Sequence, residues 1–199
     1  MITLIVSIYW FLVAITLALT EIEVEGKFGW AEKTATWSKK VTPPKVFLLF
    51  SGSSTLTGYH LFLNSFLLIL IHSPFFFFQT FSWELELQLI ATYLVWALFW
   101  DLLWFILNPY YGWSKFSPKA VWWFGDEPWI FRKLPIKYFV QIGISFILVV
   151  ASYYLNNNFE VVTNHALTIA MFVLLTIFTH LFLRPAYHNY YWKMHKKVE

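Results

Sequence analysis

Long apolar stretches alternate with short polar segments along this chain. Each stretch approaches or exceeds the roughly 20 residues that a helix needs to cross the hydrocarbon core of a membrane. The pattern predicts five membrane-spanning helices, at residues 2–19, 55–73, 82–107, 135–155 and 165–184. The fold class predicted is therefore an all-α, polytopic integral membrane protein in which residues 1–199 form one bundle of five transmembrane helices.

Proline and small polar residues mark the predicted helix ends. Asn108-Pro109 ends the third span, and Pro135 begins the fourth. Pro185 is expected to end or kink the fifth span. Residues 46–54 are apolar and then rich in Ser and Gly, so we expect an interfacial or re-entrant segment before the second span.

Acidic residues alternate with β-branched residues directly after the first predicted span, in Glu21-Ile22-Glu23-Val24-Glu25. An extended chain would direct all three carboxylates to one side, whereas a helix would spread them around about half of its circumference. This sequence opens the first predicted inner loop, residues 20–45. The second predicted inner loop, residues 110–134, is both aromatic and basic, and is expected to lie on the membrane surface.

The composition supports the membrane class. Hydrophobic residues make up 59% of the chain and charged residues only 13%, whereas a soluble domain carries about 25% charged residues. The sequence contains no cysteine. This excludes disulfides, thiolate metal sites, iron–sulfur clusters and cysteine nucleophiles from its chemistry.

The basic residues predict the orientation. All 14 lie in the first gap, in the third gap with the start of the fourth span, or at the end of the last span. Because short cytoplasmic loops retain Lys and Arg, the N-terminus should be outside and the C-terminus cytoplasmic, in a prokaryotic plasma membrane. The net charge of +3 predicts attraction to membrane lipids and not to nucleic acid, since the basic residues are interleaved with aromatic, juxtamembrane segments.

Ionisable residues within apolar spans are costly and mark candidate sites. By predicted depth, several carboxylates and imidazoles from four parts of the chain share the cytoplasmic half of the bundle. The candidate catalytic residues are His60, Asp101 and His180. The candidate metal ligands are Glu21, Glu23, Glu25, His60, Asp101, His180 and His188, a donor set that suits Zn, Mn or Fe. A phosphate headgroup would be received by Arg184 together with Lys115 or Lys133.

A purely structural role is the alternative explanation for each of these groups. Asp101 could pair with Arg184, and His60 could hydrogen-bond a backbone carbonyl of another helix. The sequence has no established metal-binding or phosphate-binding motif. A second polar set lies toward the outer face and consists of His72, Glu84, Glu86, Glu160 and His165. Glu84 and Glu86 are explained by the favourable charge of a helix N-terminus.

Three functions fit this pattern. The first is a membrane-embedded enzyme, with a divalent metal as candidate cofactor, that acts on a lipid or lipid-linked substrate at the cytoplasmic interface. The second is a non-catalytic subunit or scaffold that binds a membrane-protein partner or a second copy of itself. The third is a small proton-linked transporter, which would use both polar sets. The sequence does not decide between them.

Overall fold

The computed structural model describes residues 2–40, 55–77, 80–112, 115–124 and 128–196. The segment expected to be interfacial or re-entrant, residues 46–54, lies outside the described residues, as do Lys45 and Lys197. The chain is mostly helical, which agrees with the predicted all-α class. In chain order the helices are α1 (Ile2–Glu25), α2 (Gly58–Ile71), α3 (Ser73–Phe77), α4 (Trp83–Leu107), α5 (Ile136–Asn156), α6 (Glu160–Phe178) and α7 (Arg184–His195).

Four helical segments within the described ranges are long and apolar enough to cross a membrane. They are α1, α4, α5 and the 36-residue run from Glu160 to His195. The second predicted span is shorter than expected, because α2 has only 14 residues. At a rise of 1.5 Å per residue it extends over about 21 Å, less than the hydrocarbon thickness of about 30 Å.

Two predicted helix boundaries agree closely with the structure, and a third does not. Ser82 caps the N-terminus of α4, where its side chain accepts a hydrogen bond from the backbone N–H of Leu85. Asn108 is the C-cap of the same helix. The last helix does not end at Pro185. A π-helical segment, Thr179–Leu183, joins α6 to α7, and the proline lies in the first turn of α7, where it requires no backbone N–H.

The helices alternate in direction, so polar contacts define two ends of the bundle. At one end, which we call the Glu25 end, the C-terminal parts of α1, α4 and α7 meet the N-terminal parts of α2 and α5. Asn108 Nδ2 donates to the Gly26 carbonyl at 2.9 Å there. At the opposite end, which we call the Glu86 end, His72 Nε2 lies 3.1 Å from Glu86 Oε1 and Thr3 donates to Asn164.

The core is aromatic and is centred on α4, which packs on α5, α1 and α6. Trp96, Leu103 and Leu107 are among its fully buried side chains. Two short antiparallel ribbons lie at the Glu25 end. β1 (Ser38–Lys40) pairs with β2 (Thr55–Thr57), and β3 (Trp129–Ile130) pairs with β4 (Leu134–Pro135). The first ribbon leads directly into α2 and so fixes the position of its first turn.

Candidate functional site

Two carboxylates and one imidazole meet at the Glu25 end. His60 Nε2 lies 3.6 Å from Glu25 Oε1 and 3.9 Å from Glu21 Oε1. One ligand atom from each of the three residues lies within 4.8 Å of the other two, and all three residues are buried. The last turn of α1 and the first turn of α2 therefore place three metal-ligating side chains around one point.

The helical periodicity of α1 explains why only two of its three glutamates take part. The helix continues to Glu25, so Glu21 and Glu25 are one turn apart on the same face. Glu23 projects from the exposed side. It accepts a hydrogen bond from the Tyr187 hydroxyl at 3.0 Å and lies 3.4 Å from His195 Nε2. Glu23 was a candidate metal ligand from the sequence, but it lies outside this cluster.

Thr57 fixes the His60 ring from the opposite side. As the N-cap of α2, its hydroxyl oxygen accepts a hydrogen bond from the His60 backbone N–H at 3.2 Å. The same oxygen lies 2.7 Å from Nδ1 of the ring. In the tautomer with the proton on Nδ1, that nitrogen donates to Thr57 and Nε2 directs a lone pair at the carboxylates. This arrangement is the usual one for a histidine that binds a metal.

The turn that follows α1 closes over the cluster. Trp30 and Ala31 have positive φ angles of 55° and 52°, a region that costs a non-glycine residue about 1–2 kcal/mol. The turn is held by Ala31 N–H, which donates to Glu25 Oε1 at 2.6 Å, and by Trp30 Nε1, which donates to the Thr55 carbonyl at 2.6 Å. The indole of Trp30 stacks on His60 with ring centroids 4.0 Å apart. Backbone strain at this point is therefore tied directly to the position of a site carboxylate.

A cavity of about 100 Å³ lies beside the cluster, and α4 and α5 form its far wall. Asp101 lines this wall and accepts a hydrogen bond from the Tyr138 hydroxyl. Lys137 is buried and also lines the cavity, with Nζ 3.1 Å from the centroid of the Phe124 ring. Asp101 thus lines the same cavity as His60.

Indole and amide groups complete the lining. Trp100 approaches Glu21 and Trp104 approaches Glu25, yet neither buried indole N–H completes a hydrogen bond within the described part of the chain. On the α2 side, Asn64 Nδ2 donates to the His60 carbonyl at 2.7 Å. The Tyr93 hydroxyl donates to Asn64 Oδ1 at 3.0 Å. The indole N–H groups of Trp100 and Trp104 are thus buried donors that lie close to the two carboxylates.

The remaining predicted site residues lie elsewhere. His180 is in the π-helical segment, and His188 Nε2 contacts the Leu107 carbonyl at 2.9 Å. Arg184 packs beside Gly112, and Lys115 Nζ donates to the Tyr110 carbonyl at 2.6 Å. Lys133 is exposed next to β4. None of these five residues is among those that line the described cavity.

Sequence reasoning missed Thr57 and most residues that line the cavity, among them Trp30, Lys137 and Tyr138. The sequence offered a signal for two of them. Thr57 directly precedes the Gly-Tyr-His of α2, and Lys137 is a cation two residues inside an apolar helix. The aromatic residues gave no signal, because Trp and Tyr are also expected throughout membrane interfaces.

The outer polar set forms separate contacts toward the Glu86 end. His72 Nε2 lies 3.1 Å from Glu86 Oε1, so this acid has an imidazole partner. The buried His165 Nε2 lies 2.9 Å from Ser145 Oγ, between α6 and α5. Glu84 lies in the first turn of α4, where the helix dipole favours its charge. The His72–Glu86 and His165–Ser145 contacts each join two helices.

Comparison with known proteins found no matching family model, no similar curated protein and no similar solved structure.

Proposed function

We propose that this protein is a membrane-embedded, metal-dependent enzyme that acts on a lipid or lipid-linked substrate. The observation that carries the proposal is the buried cluster of Glu21, Glu25 and His60 beside a polar cavity. The site would lie at the membrane interface, because it is formed by the ends of helices. The substrate's polar group would reach it from the headgroup region.

The charges around the cavity favour a divalent cation. Among the described lining residues, Glu21, Glu25 and Asp101 are acidic, and Lys137 is the one Lys or Arg. With the three carboxylates ionised and His60 neutral, a net charge of −2 remains. An uncompensated charge buried away from water is strongly unfavourable. Protonation of the carboxyl groups removes this charge when no cation is present, and a divalent ion bound by the carboxylates would balance it.

The distances also suit a single ion. Two ligands bound at about 2.1 Å lie about 3.0 to 4.2 Å apart in tetrahedral or octahedral geometry. The separations of 3.6 and 3.9 Å from His60 Nε2 to the two carboxylates fall within that range. One imidazole with two carboxylates is a donor set for Zn, Mn or Fe. Three protein ligands would leave coordination positions free for water and substrate.

This arrangement would support hydrolysis or group transfer at a phosphoryl or carbonyl centre. A bound divalent ion polarises such a group and activates water. Asp101, on the opposite wall, would act as a general base, and the Tyr138 hydroxyl donates a hydrogen bond that would orient it. Lys137 supplies positive charge close to the same wall, where an anionic leaving group would be stabilised.

The basic residues support a cytoplasmic location for the site. The described Lys and Arg residues belong to the segments at the Glu25 end, and positively charged short loops remain in the cytoplasm. The protein would have its N-terminus outside and its C-terminus inside a prokaryotic plasma membrane. Anionic lipids in the cytoplasmic leaflet would then be concentrated at the mouth of the site.

Metal analysis of the purified protein tests the proposal. We expect about one Zn, Mn or Fe per chain, and a loss of this metal in Glu25→Gln and His60→Ala. Glu23→Gln is the matched control, since Glu23 lies on the same helix but projects away from the cluster. Wild-type protein without metal after reconstitution with each ion, or metal retained in Glu25→Gln, would contradict the proposal.

A proton-linked transporter remains the second candidate. The observation that favours it is the buried His165–Ser145 pair, which joins α6 to α5 between the cavity and the Glu86 end. Proton flux into liposomes that is lost in His165→Phe and retained in Glu25→Gln would favour the transporter. The scaffold hypothesis receives less support, since a scaffold has no need of a polar cavity between its helices.

A further inference from the structure

A groove of about 610 Å³ lies on the outer side of α2, next to the candidate metal site. One wall is formed by residues 34–37 and the other by Gly58, Tyr59, Phe62 and Leu63. Its volume is within the range of about 300 to 1,000 Å³ that is typical of small-molecule sites. It is mainly apolar and opens on the surface that would face the membrane.

The ribbon of β1 and β2 holds the two walls together. The Gly58 backbone N–H donates to the Trp37 carbonyl at 3.0 Å, and the Tyr59 N–H donates to Thr36 Oγ1 at 2.9 Å. Trp37 packs so closely on Gly58 that an added Cβ would lie 2.5 Å from its Nε1. The groove is therefore a built feature with a fixed wall, and not only a gap between side chains.

The two ends of the groove differ in chemistry. At one end, the wall of residues 34–37 is flanked along the chain by exposed lysines, with Lys33 directly before it and Lys39 and Lys40 after it on β1. At the other end, Phe62 is 69% exposed and begins a stripe that continues through Phe66 and Ile69 at helical spacing on α2. A cationic end at the interface and an apolar end along a helix complement an anionic headgroup with an attached acyl chain.

Tyr59 separates the groove from the metal-ligand cluster. Its ring lines the groove and makes an edge-to-face contact with His60 at a centroid distance of 5.1 Å. Its phenol also lies close enough to Glu21 and Glu25 to interact with their charges. A molecule in the groove would therefore be one aromatic ring away from the candidate ligands.

We infer that the groove binds an anionic glycerophospholipid, with its acyl chain against Phe62 and Leu63 and its phosphate near Lys39 and Lys40. This inference names the substrate class of the proposed enzyme and rests on the proposed function only in treating that lipid as a substrate. A zwitterionic lipid would fill the apolar part of the groove equally well. It would gain less from the lysines, since its headgroup has no net charge.

The experiment is native mass spectrometry of the full-length protein, delipidated and then offered phosphatidylglycerol and phosphatidylcholine with identical acyl chains. We expect phosphatidylglycerol to be retained at least about fivefold more than phosphatidylcholine. The double variant Lys39→Glu/Lys40→Glu should remove this preference. The control double variant Lys119→Glu/Lys193→Glu makes the same change of net charge at two other exposed lysines and should keep it.

Two further arms test the acyl chain. Glycerol phosphate, which has the headgroup chemistry without a chain, should fail to compete at millimolar concentration. Leu63→Trp narrows the groove and should reduce retention of both lipids about equally. Equal loss of preference in both double variants, or competition by glycerol phosphate, would overturn the inference.

Metal content is measured in the same samples, so the two proposals can fail separately. Lys39→Glu/Lys40→Glu should retain the wild-type metal. Selective lipid binding in a protein that binds no metal would remove the proposed enzyme and leave the groove assignment intact.

Discussion

His60 Nε2 lies 3.6 Å from Glu25 Oε1 and joins the last turn of α1 to the first turn of α2. Each partner is held by a second contact. Ala31 N–H donates to Glu25, and Thr57 lies within hydrogen-bonding distance of His60 Nδ1. The pair is therefore fixed by two turns from different parts of the chain, and substitutions at these turns should affect the site without touching its ligands.

Glu25→Gln should change stability in opposite directions with and without metal. In EDTA the variant lacks a buried carboxyl group that lies beside the acidic side chains of Glu21 and Asp101, while the Gln carbonyl can still accept from Ala31 N–H. Its melting temperature should then equal or exceed that of the wild type. With free metal at 100 times the dissociation constant, the wild type should gain about 2.7 kcal/mol in its free energy of unfolding, and the variant much less.

Thermal melts in detergent with EDTA and with added Mn²⁺ or Zn²⁺ check this expectation, with Glu23→Gln as the control. A metal-dependent gain in Glu25→Gln that matches the wild type would show that this carboxylate is not a ligand.

Thr57→Ala should weaken both the helix and the metal site. Loss of the N-cap costs about 1 kcal/mol of stability, and loss of the Nδ1 partner should lower metal affinity by about 10- to 100-fold. Thr57→Ser should retain most of both. Metal titration and thermal melting provide the two measurements.

Ser82→Ala is the matched control for Thr57→Ala. It removes the N-cap of α4, so it should lower stability by a similar amount and leave metal affinity unchanged. An equal loss of metal affinity in both variants would mean that the Thr57 effect is general destabilisation.

Gly29→Ala should destabilise the Glu25 end. A Cβ at this position would collide with the indole ring of Trp123, and overpacking of this kind typically costs about 1–3 kcal/mol. Gly143→Ala is the control, since a Cβ there meets nothing within 4 Å. Within α5 it should be neutral or stabilise by up to about 1 kcal/mol. Melting temperatures that fall equally in both variants would contradict the packing at Gly29.

The absence of cysteine allows a direct test of orientation. Lys119→Cys lies at the Glu25 end, and Asn156→Cys is exposed at the C-terminus of α5 near the opposite end. In intact cells, a membrane-impermeant maleimide should label Asn156→Cys only. After permeabilisation it should label both. Labelling of Lys119→Cys in intact cells would reverse the predicted topology.

Hydrophobic pattern predicted the long helices well, because each must satisfy its backbone hydrogen bonds internally across the membrane. Ser82 and Asn108 were already recognisable as the ends of α4. The hydrophobic pattern was less informative where the ends of a helix do not coincide with the ends of its apolar stretch. α1 extends beyond its apolar stretch to Glu25, since glutamate is a good helix former. α2 is shorter than its apolar stretch, since residues 55–57 pair in a ribbon.

The sequence by itself determined that this chain forms helices long and apolar enough to span a membrane and that Glu21, Glu25, His60 and Asp101 belong to one end of the bundle. The depth of a residue along the bundle follows from its position along its helix, and that position can be counted from the sequence. Only the tertiary structure decided which of these groups face one another. Successive residues are separated by about 100° around a helix axis, so Glu23 and His188 share that end and still face away from the cavity. The rotation of each helix about its own axis is set by packing against neighbouring helices. A local sequence pattern carries no information about that packing.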